Sequence, residues 1–112
     1  MVRRSFTAVL ERNSTFTSDF ATEPYEAAWA SEARLFVRVL GLSGKGVELK
    51  VSAEVSPDGL FWCEEGGPPL SIRQPGLYSA AYRNFGHWLR FQGKLAGEQA
   101  SVQVLIYLAL KE

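Results

Sequence analysis

Apolar side chains recur at every second position along two stretches of the chain, residues 47–56 and residues 101–110. A period of two places successive side chains on opposite faces of a β-strand, so each stretch is predicted to be a strand with a buried face. The buried rows would contain Val47, Leu49, Val51, Ala53 and Val55 in the first stretch, and Val102, Val104, Ile106, Leu108 and Leu110 in the second.

Further strands are predicted from short apolar segments that are bounded by turn residues. Residues 34–42 are rich in β-branched and aromatic side chains, and the glycine-bearing segment 43–46 separates them from residues 47–56. A turn of this length predicts a hairpin in which the two flanking strands pair antiparallel. Additional strands are predicted at residues 5–10, 60–63, 70–73 and 87–95.

The N-terminal third carries weaker signals. Residues 13–19 are rich in Ser and Thr and are predicted to form a loop, whereas residues 25–33 are predicted to form a turn of helix or an irregular edge. Seven to eight short strands separated by turns predict an all-β fold, namely an antiparallel β-sandwich that is jelly-roll-like. Residues 1–112 are predicted to form one domain, with residues 1–21 as an arm or an edge strand.

Charge and composition argue against two classes of partner. Twelve Lys and Arg residues balance twelve Asp and Glu residues, so no net field attracts nucleic acid or an anionic membrane. No apolar run approaches the roughly 18 to 20 residues that span a bilayer, and the N-terminal apolar stretch is too short for a signal peptide. We therefore expect neither a nucleic-acid partner nor a membrane partner.

The segment Ser56-Pro57-Asp58-Gly59 has the composition of a tight turn between two apolar runs. Proline fixes φ at the first central position, and glycine accepts the left-handed conformation at the exit. A calcium site needs about six to eight oxygen ligands, whereas the aspartates of the chain are Asp19 and Asp58. The segment is therefore predicted to be structural, and no bound metal is expected.

Cys63 and His87 are the only residues of their types in the sequence. Because His87 shares a row with Leu89 and Phe91, we expect it to pack against the core and Cys63 to be a small buried hydrophobic residue. One Cys and one His cannot supply a zinc site, and no other set of residues suggests a nucleophile with its base. We expect no catalytic residues, no cofactor and no enzymatic activity.

Two motifs follow each other along the chain. V-x-x-E-V-S-P-D-G-L-F-W covers residues 51–62, and F-G-H-W-L-R-F-Q-G-K-L-A-G covers residues 85–97, before the final alternating strand. This order resembles small β-sandwich proteins of bacteriophage and prophage structural gene clusters, in which an S-x-D-G-x-x-W hairpin precedes a G-x-x-x-R-x-x-x-x-x-G strand. The resemblance covers residues 34–110 and implies a non-enzymatic component of a virion or particle. The distinctive matching residues are Ser56, Asp58, Gly59, Trp62, Gly86, Arg90 and Gly97. Most of them are turn and packing positions, so the resemblance assigns no functional residue to this chain.

Two sets of side chains are candidates for binding another molecule. The second face of residues 101–110 is apolar at Leu105 and Tyr107, and Phe36 and Leu40 lie on the second face of their own strand. An exposed apolar sheet face is typical of protein interfaces. The other set is aromatic, with Trp88 outward beside Arg90 and Gln92, and with Trp62 and Tyr78 as further candidates.

The sequence therefore predicts a structural or interaction module of a phage-like particle, such as a decoration or tail-accessory protein. Its expected partners are copies of itself, a larger capsid or tail protein, or both, and its expected location is the virion or the host cytoplasm. The alternative is a carbohydrate-binding module that stacks a glycan on Trp62, Trp88 or Tyr78.

Overall fold

The computed structural model describes residues 4–112, which form eight β-strands. The strands are β1 (Ser5–Phe16), β2 (Phe20–Ala21), β3 (Tyr25–Glu26), β4 (Glu32–Ser56), β5 (Cys63–Glu64), β6 (Leu70–Ile72), β7 (Gly76–Arg83) and β8 (Trp88–Lys111). All pairings are antiparallel, and the all-β prediction is confirmed. Among the residues described, no helix is long and apolar enough to cross a membrane.

Two long strands organise the molecule. β4 has 25 residues and β8 has 24, and they pair from Glu32 with Lys111 at one end to Ser56 with Trp88 at the other. A straight strand of this length would extend about 80 Å. The longest dimension of the protein is 50 Å, so the paired strands must bend.

The bend is at a glycine corner where the two strands come very close. The register of β4 and β8 shifts between Ser43 and Glu48. A Cβ atom on Gly44 would lie 2.6 Å from the Glu98 carbonyl oxygen, and one on Gly97 would lie 2.9 Å from the Lys45 carbonyl oxygen. Both glycines also have left-handed φ angles, 116° and 124°. Only glycine combines this backbone conformation with so close an approach.

The predicted hairpin at residues 43–46 is therefore wrong. Residues 34–42 and 47–56 do not pair with each other; they are successive parts of β4, and both pair with β8. Residues 96–99 are likewise a bend within β8, which joins the two strands predicted at residues 87–95 and 101–110. A glycine-rich segment of this kind indicates that the chain changes direction. It does not show whether the change is a hairpin turn between two strands or a bend within one strand.

The corner divides the sheet into two layers around one core. The first half of β4 and the second half of β8 pair with each other and lie between β1 and β7, while the other two halves lie between β2 and β3 on one side and β5 and β6 on the other. Alternate residues from all four halves are buried in one hydrophobic cluster, consistent with a β-sandwich-like fold. The largest fully buried side chains include Leu35, Val37, Leu49, Val51, Leu89, Phe91, Val104, Ile106, Leu108 and Leu110.

The N-terminal segment is more regular than its composition predicts. Residues 13–16, which were predicted to be part of a loop, continue β1 after two register shifts and pair with β8. Phe16 then stacks on Phe20 with 3.9 Å between ring centroids, and the Phe20 ring fills the space beside Gly93 that a Cβ atom would need. Residues 25–31 form an irregular edge in which β3 pairs with the start of β8, whereas residues 32 and 33 already belong to β4.

Candidate interaction surfaces

The turn that follows β4 is built around two short polar side chains. The Ser56 hydroxyl accepts hydrogen bonds from the N–H groups of Asp58 and Gly59, at 3.2 and 2.8 Å, and donates one to Asp58 Oδ1. Asp58 Oδ1 accepts two more from the N–H groups of Leu60 and Phe61, at 2.9 and 3.1 Å. These two backbone hydrogen bonds are the main reason that the pKa of the Asp58 carboxyl lies below its usual value. The ionised carboxylate is thus part of the turn.

The turn folds back over the outer face of β8. Gly59 lies against the Trp88 ring, because a Cβ atom at that position would be 3.2 Å from it. Trp62 lies over the guanidinium group of Arg90, with 4.4 Å between the guanidinium carbon and the ring centroid. Arg90 in turn donates to Glu54 on the neighbouring strand, at 2.6 Å. The motif residues of the two sequence segments therefore meet in one packed cluster.

This packing does not favour the glycan alternative. Trp88, Arg90 and Gln92 point outward, on the side opposite the buried residues of β8, as the sequence analysis supposed. However, Gly59 covers one face of the Trp88 ring, and the Arg90 guanidinium covers one face of Trp62. Tyr78 packs against the core from β7 and donates its hydroxyl to the Gln74 carbonyl oxygen at 2.7 Å. The three aromatic candidates do not form a common platform.

The outer face of the first layer carries an apolar strip. Directly paired residues of antiparallel strands share a face, so the register places Val9, Tyr107 and Phe36 side by side on three strands. In the next row of paired residues on this face, Leu105 of β8 and Leu77 of β7 lie on either side of Arg38 of β4. We refer to Val9, Phe36, Leu77, Leu105 and Tyr107 as the outer patch. Leu40, also a candidate from the sequence, is exposed at the β4 bulge that follows.

A groove lies on the same outer face, toward the beginning of β4. It has a volume of about 340 Å³. Its apolar part includes Phe36 together with Ala81 and Ala109, which pair with Arg34 from either side. The groove also contains four charged side chains, from Glu32, Arg34, Arg83 and Lys111.

Two exposed apolar side chains were missed by the sequence analysis. Leu60 and Phe61, here called the tip, were predicted to begin a return strand, but that strand starts only at Cys63. Their side chains are 76% and 77% exposed. The prediction failed because the apolar run 60–63 has strand-like composition, while hydrogen bonds to Asp58 hold its first two residues in the turn.

The predicted burial of Cys63 and His87 is also wrong. Both residues are exposed, and both line a small surface pocket beside Phe85. His87 precedes the first residue of β8, so the alternation that buries Leu89 and Phe91 does not extend to it. The Cys63 thiol donates to the Val55 carbonyl oxygen at 3.8 Å. Within residues 4–112, no group of three or more His, Cys, Asp or Glu side chains is arranged to hold a metal ion.

Comparison with solved structures identifies two longer chains that contain a similar fold. The PBSX exported protein XepA superposes with a TM-score of 0.70 at 13% sequence identity, over 94% of this chain and 36% of that chain. A chain from the structure of the infectious bursal disease virus Gx strain superposes with a TM-score of 0.54 at 14% identity, over 97% of this chain and 32% of that one. The protein therefore spans about a third of each of these longer chains, and at this identity the similarity concerns the fold.

No protein-family model matches the sequence, and no curated protein matches it either.

Proposed function

We propose that the protein is a structural component of a phage-like virion or particle, such as a decoration or tail-accessory protein. It acts without a catalytic step, by packing against copies of itself and against a larger capsid or tail protein. The function is therefore one of assembly, and the residues that matter are those on its exposed faces.

The observation that carries this proposal is the outer patch. Val9, Tyr107 and Phe36 lie side by side on three neighbouring strands, and Leu105 and Leu77 lie on either side of Arg38 in the next row. Val9 and Leu77 remain exposed. Monomeric proteins seldom leave a contiguous apolar surface uncovered, because its burial against a partner is favourable.

The fold similarities support the same class of protein. The two solved structures are a phage PBSX exported protein and a virus structure, and each contains the fold of this chain as part of a longer polypeptide. The motifs at residues 51–62 and 85–97 resemble proteins of phage structural gene clusters. The fold similarities and the motif resemblance support the proposal of a phage-type or virion-type structural protein.

The proposal is tested by charging the outer patch at its two exposed positions. The double variant Val9→Lys with Leu77→Lys should lower the solution mass measured by light scattering, because two ammonium groups would have to be desolvated in the contact. Thr17→Lys, an exposed position in the loop after β1, is the control and should leave the mass unchanged. A double variant with the same mass as the unmodified protein would argue against packing through the outer patch.

A further inference from the structure

The tip is apolar at a place where the fold does not require apolar side chains. Leu60 and Phe61 are the two most exposed large hydrophobic residues of the part of the chain that the structure describes. The turn uses their backbone N–H groups, which donate to Asp58, and polar residues could supply the same two hydrogen bonds. Their side chains are therefore available for contact with another molecule.

The backbone beneath the tip is ordered before any contact is made. On one side, Ser56 and Asp58 hold the turn, and Gly59 rests on the Trp88 ring. On the other side, Trp62 packs on the Arg90 guanidinium. A segment that is already fixed loses less conformational entropy on binding than a mobile loop does. The tip is preorganised to enter a pocket.

The groove on the outer face of the first layer has the shape and chemistry of such a pocket. Its volume is near the lower end of the range of about 300 to 1,000 Å³ in which concave binding sites fall. The aromatic ring of Phe36 and the two small residues that flank Arg34 provide apolar surface. Three cationic side chains and one carboxylate lie around it, which leaves an excess of positive charge: Arg34, Arg83, Lys111 and Glu32.

The charges of the tip and the groove are complementary. Residues 57–67, which contain the tip, include Asp58, Glu64 and Glu65 and no Lys or Arg. Opposite charges around an apolar contact steer the encounter of two molecules and fix their orientation. The same carboxylates would be repelled by nucleic acid or by an anionic lipid surface. A second copy of this chain, which carries the basic groove, is the partner that the charges favour.

We propose that the tip of one copy inserts into the groove of a second copy, so that copies join head to tail. This contact rests on the self-association proposed above and names the two surfaces that meet. The tip lies over the outer face of the second layer and the groove on the outer face of the first, so both remain accessible in a single molecule. Because the two surfaces differ, the contact is heterologous, and repeated contacts close a ring or extend a filament.

The test separates the two halves of the contact. A tip variant carries Leu60→Ser with Phe61→Ser, and a groove variant carries Ala81→Glu, an exposed position on the edge strand β7. Each variant alone should lose at least about tenfold in self-association and remain a 12.4 kDa monomer. The tip variant has no apolar tip to fill a groove, and the groove variant has a carboxylate that repels the acidic tip. An equimolar mixture should form a one-to-one dimer, since the intact tip of the groove variant meets the intact groove of the tip variant.

Two controls accompany the mixture. Phe6→Ser removes an exposed aromatic side chain outside both surfaces and should leave the oligomer intact. If Ala81→Glu does not give a cooperative unfolding transition, Arg83→Glu replaces it, because this exposed side chain belongs to the groove and its reversal removes the attraction.

Four results would overturn the head-to-tail contact. A tip variant that keeps the mass of the unmodified protein, or a mixture that stays monomeric, excludes insertion of the tip into the groove. If the tip variant and the groove variant both remain oligomeric while the double lysine variant of the outer patch dissociates, the head-to-tail contact is excluded and the proposed function is retained. A monomeric unmodified protein overturns both.

Discussion

At the turn after β4, where the chain changes direction, the Ser56 hydroxyl group accepts hydrogen bonds from backbone N–H groups. Ser56 is buried, its oxygen accepts from two backbone N–H groups, and its proton goes to Asp58. Replacement by an apolar side chain would leave those N–H groups without their acceptor, which is costly where water has little access. The residue thus links the end of β4 to the position of the tip.

Ser56→Ala should lower the free energy of unfolding by about 1 to 3 kcal/mol, measured by chemical denaturation. Ser52→Ala, at a half-buried position on the same face of the same strand, is the matched control and should change it by less than about 0.5 kcal/mol. Equal effects of the two substitutions would mean that the Ser56 hydrogen bonds do not stabilise the turn.

A second prediction at this scale concerns alkaline pH. Tyr82 is buried against Phe91, and burial, together with the negative charge of Glu65, raises its pKa to about 12. In the unfolded chain a tyrosine loses its proton near pH 10, so the unfolded state gains stability relative to the folded state as the pH rises from about 10 to about 12. The contribution of Tyr82 is fully present below about pH 10 and is lost above it.

Tyr82→Phe should therefore lose less stability than the unmodified protein over this interval, by up to about 3 kcal/mol. Denaturation at neutral pH and at two pH values above 10 measures the difference. Parallel losses of stability in the two proteins would show that Tyr82 ionises as readily in the folded state as in the unfolded chain.

At the scale of the elements, the glycine corner allows β4 and β8 each to contribute to both layers of the fold. Without it, the two paired strands would form one long, flat ribbon with both faces open to water. With it, their halves form two layers whose buried rows meet in a common core. The backbone carbonyl groups of Lys45 and Glu98 occupy the space where side chains of residues 97 and 44 would begin.

Gly44→Ala and Gly97→Ala should each cost more than about 2 kcal/mol of unfolding free energy, since the new Cβ atom meets backbone atoms that cannot move aside cheaply. Gly41→Ala is the control, because a Cβ atom there has no neighbour within 4 Å. Thermal and chemical denaturation of the three variants provide the comparison. If alanine were tolerated at positions 44 and 97 as well as at 41, the close approach would not be what requires glycine.

Comparison of the predicted strands and turns with the observed ones shows which features the sequence could predict. The alternation along residues 47–56 and 101–110 identifies two halves of the long strands correctly, because one-sided burial leaves a period of two in the sequence. The pairing at residues 43–46 was predicted wrongly, because a glycine in a bend within one long strand looks in the sequence like a glycine in a hairpin turn. The exposure of Leu60 and Phe61 was missed for a related reason, since composition does not reveal a hydrogen bond to a neighbouring carboxylate.

For the whole molecule, the distribution of charge matters more than its sum. The chain has as many basic as acidic residues, and composition alone therefore suggested no electrostatic partner. In the folded protein, acidic residues accompany the tip, while the groove on the other layer has three cationic side chains, from Arg34, Arg83 and Lys111, and one carboxylate, from Glu32. A neutral molecule with separated charges of this kind is suited to bind a second copy of itself.

The most direct test of the assembly function is the solution mass of the unmodified protein, measured by light scattering after size exclusion over a wide range of concentration. Assembly through repeated contacts predicts a mass that is a multiple of 12.4 kDa and that grows with concentration if the chain of contacts remains open. A mass of 12.4 kDa at every concentration would contradict the proposed assembly function.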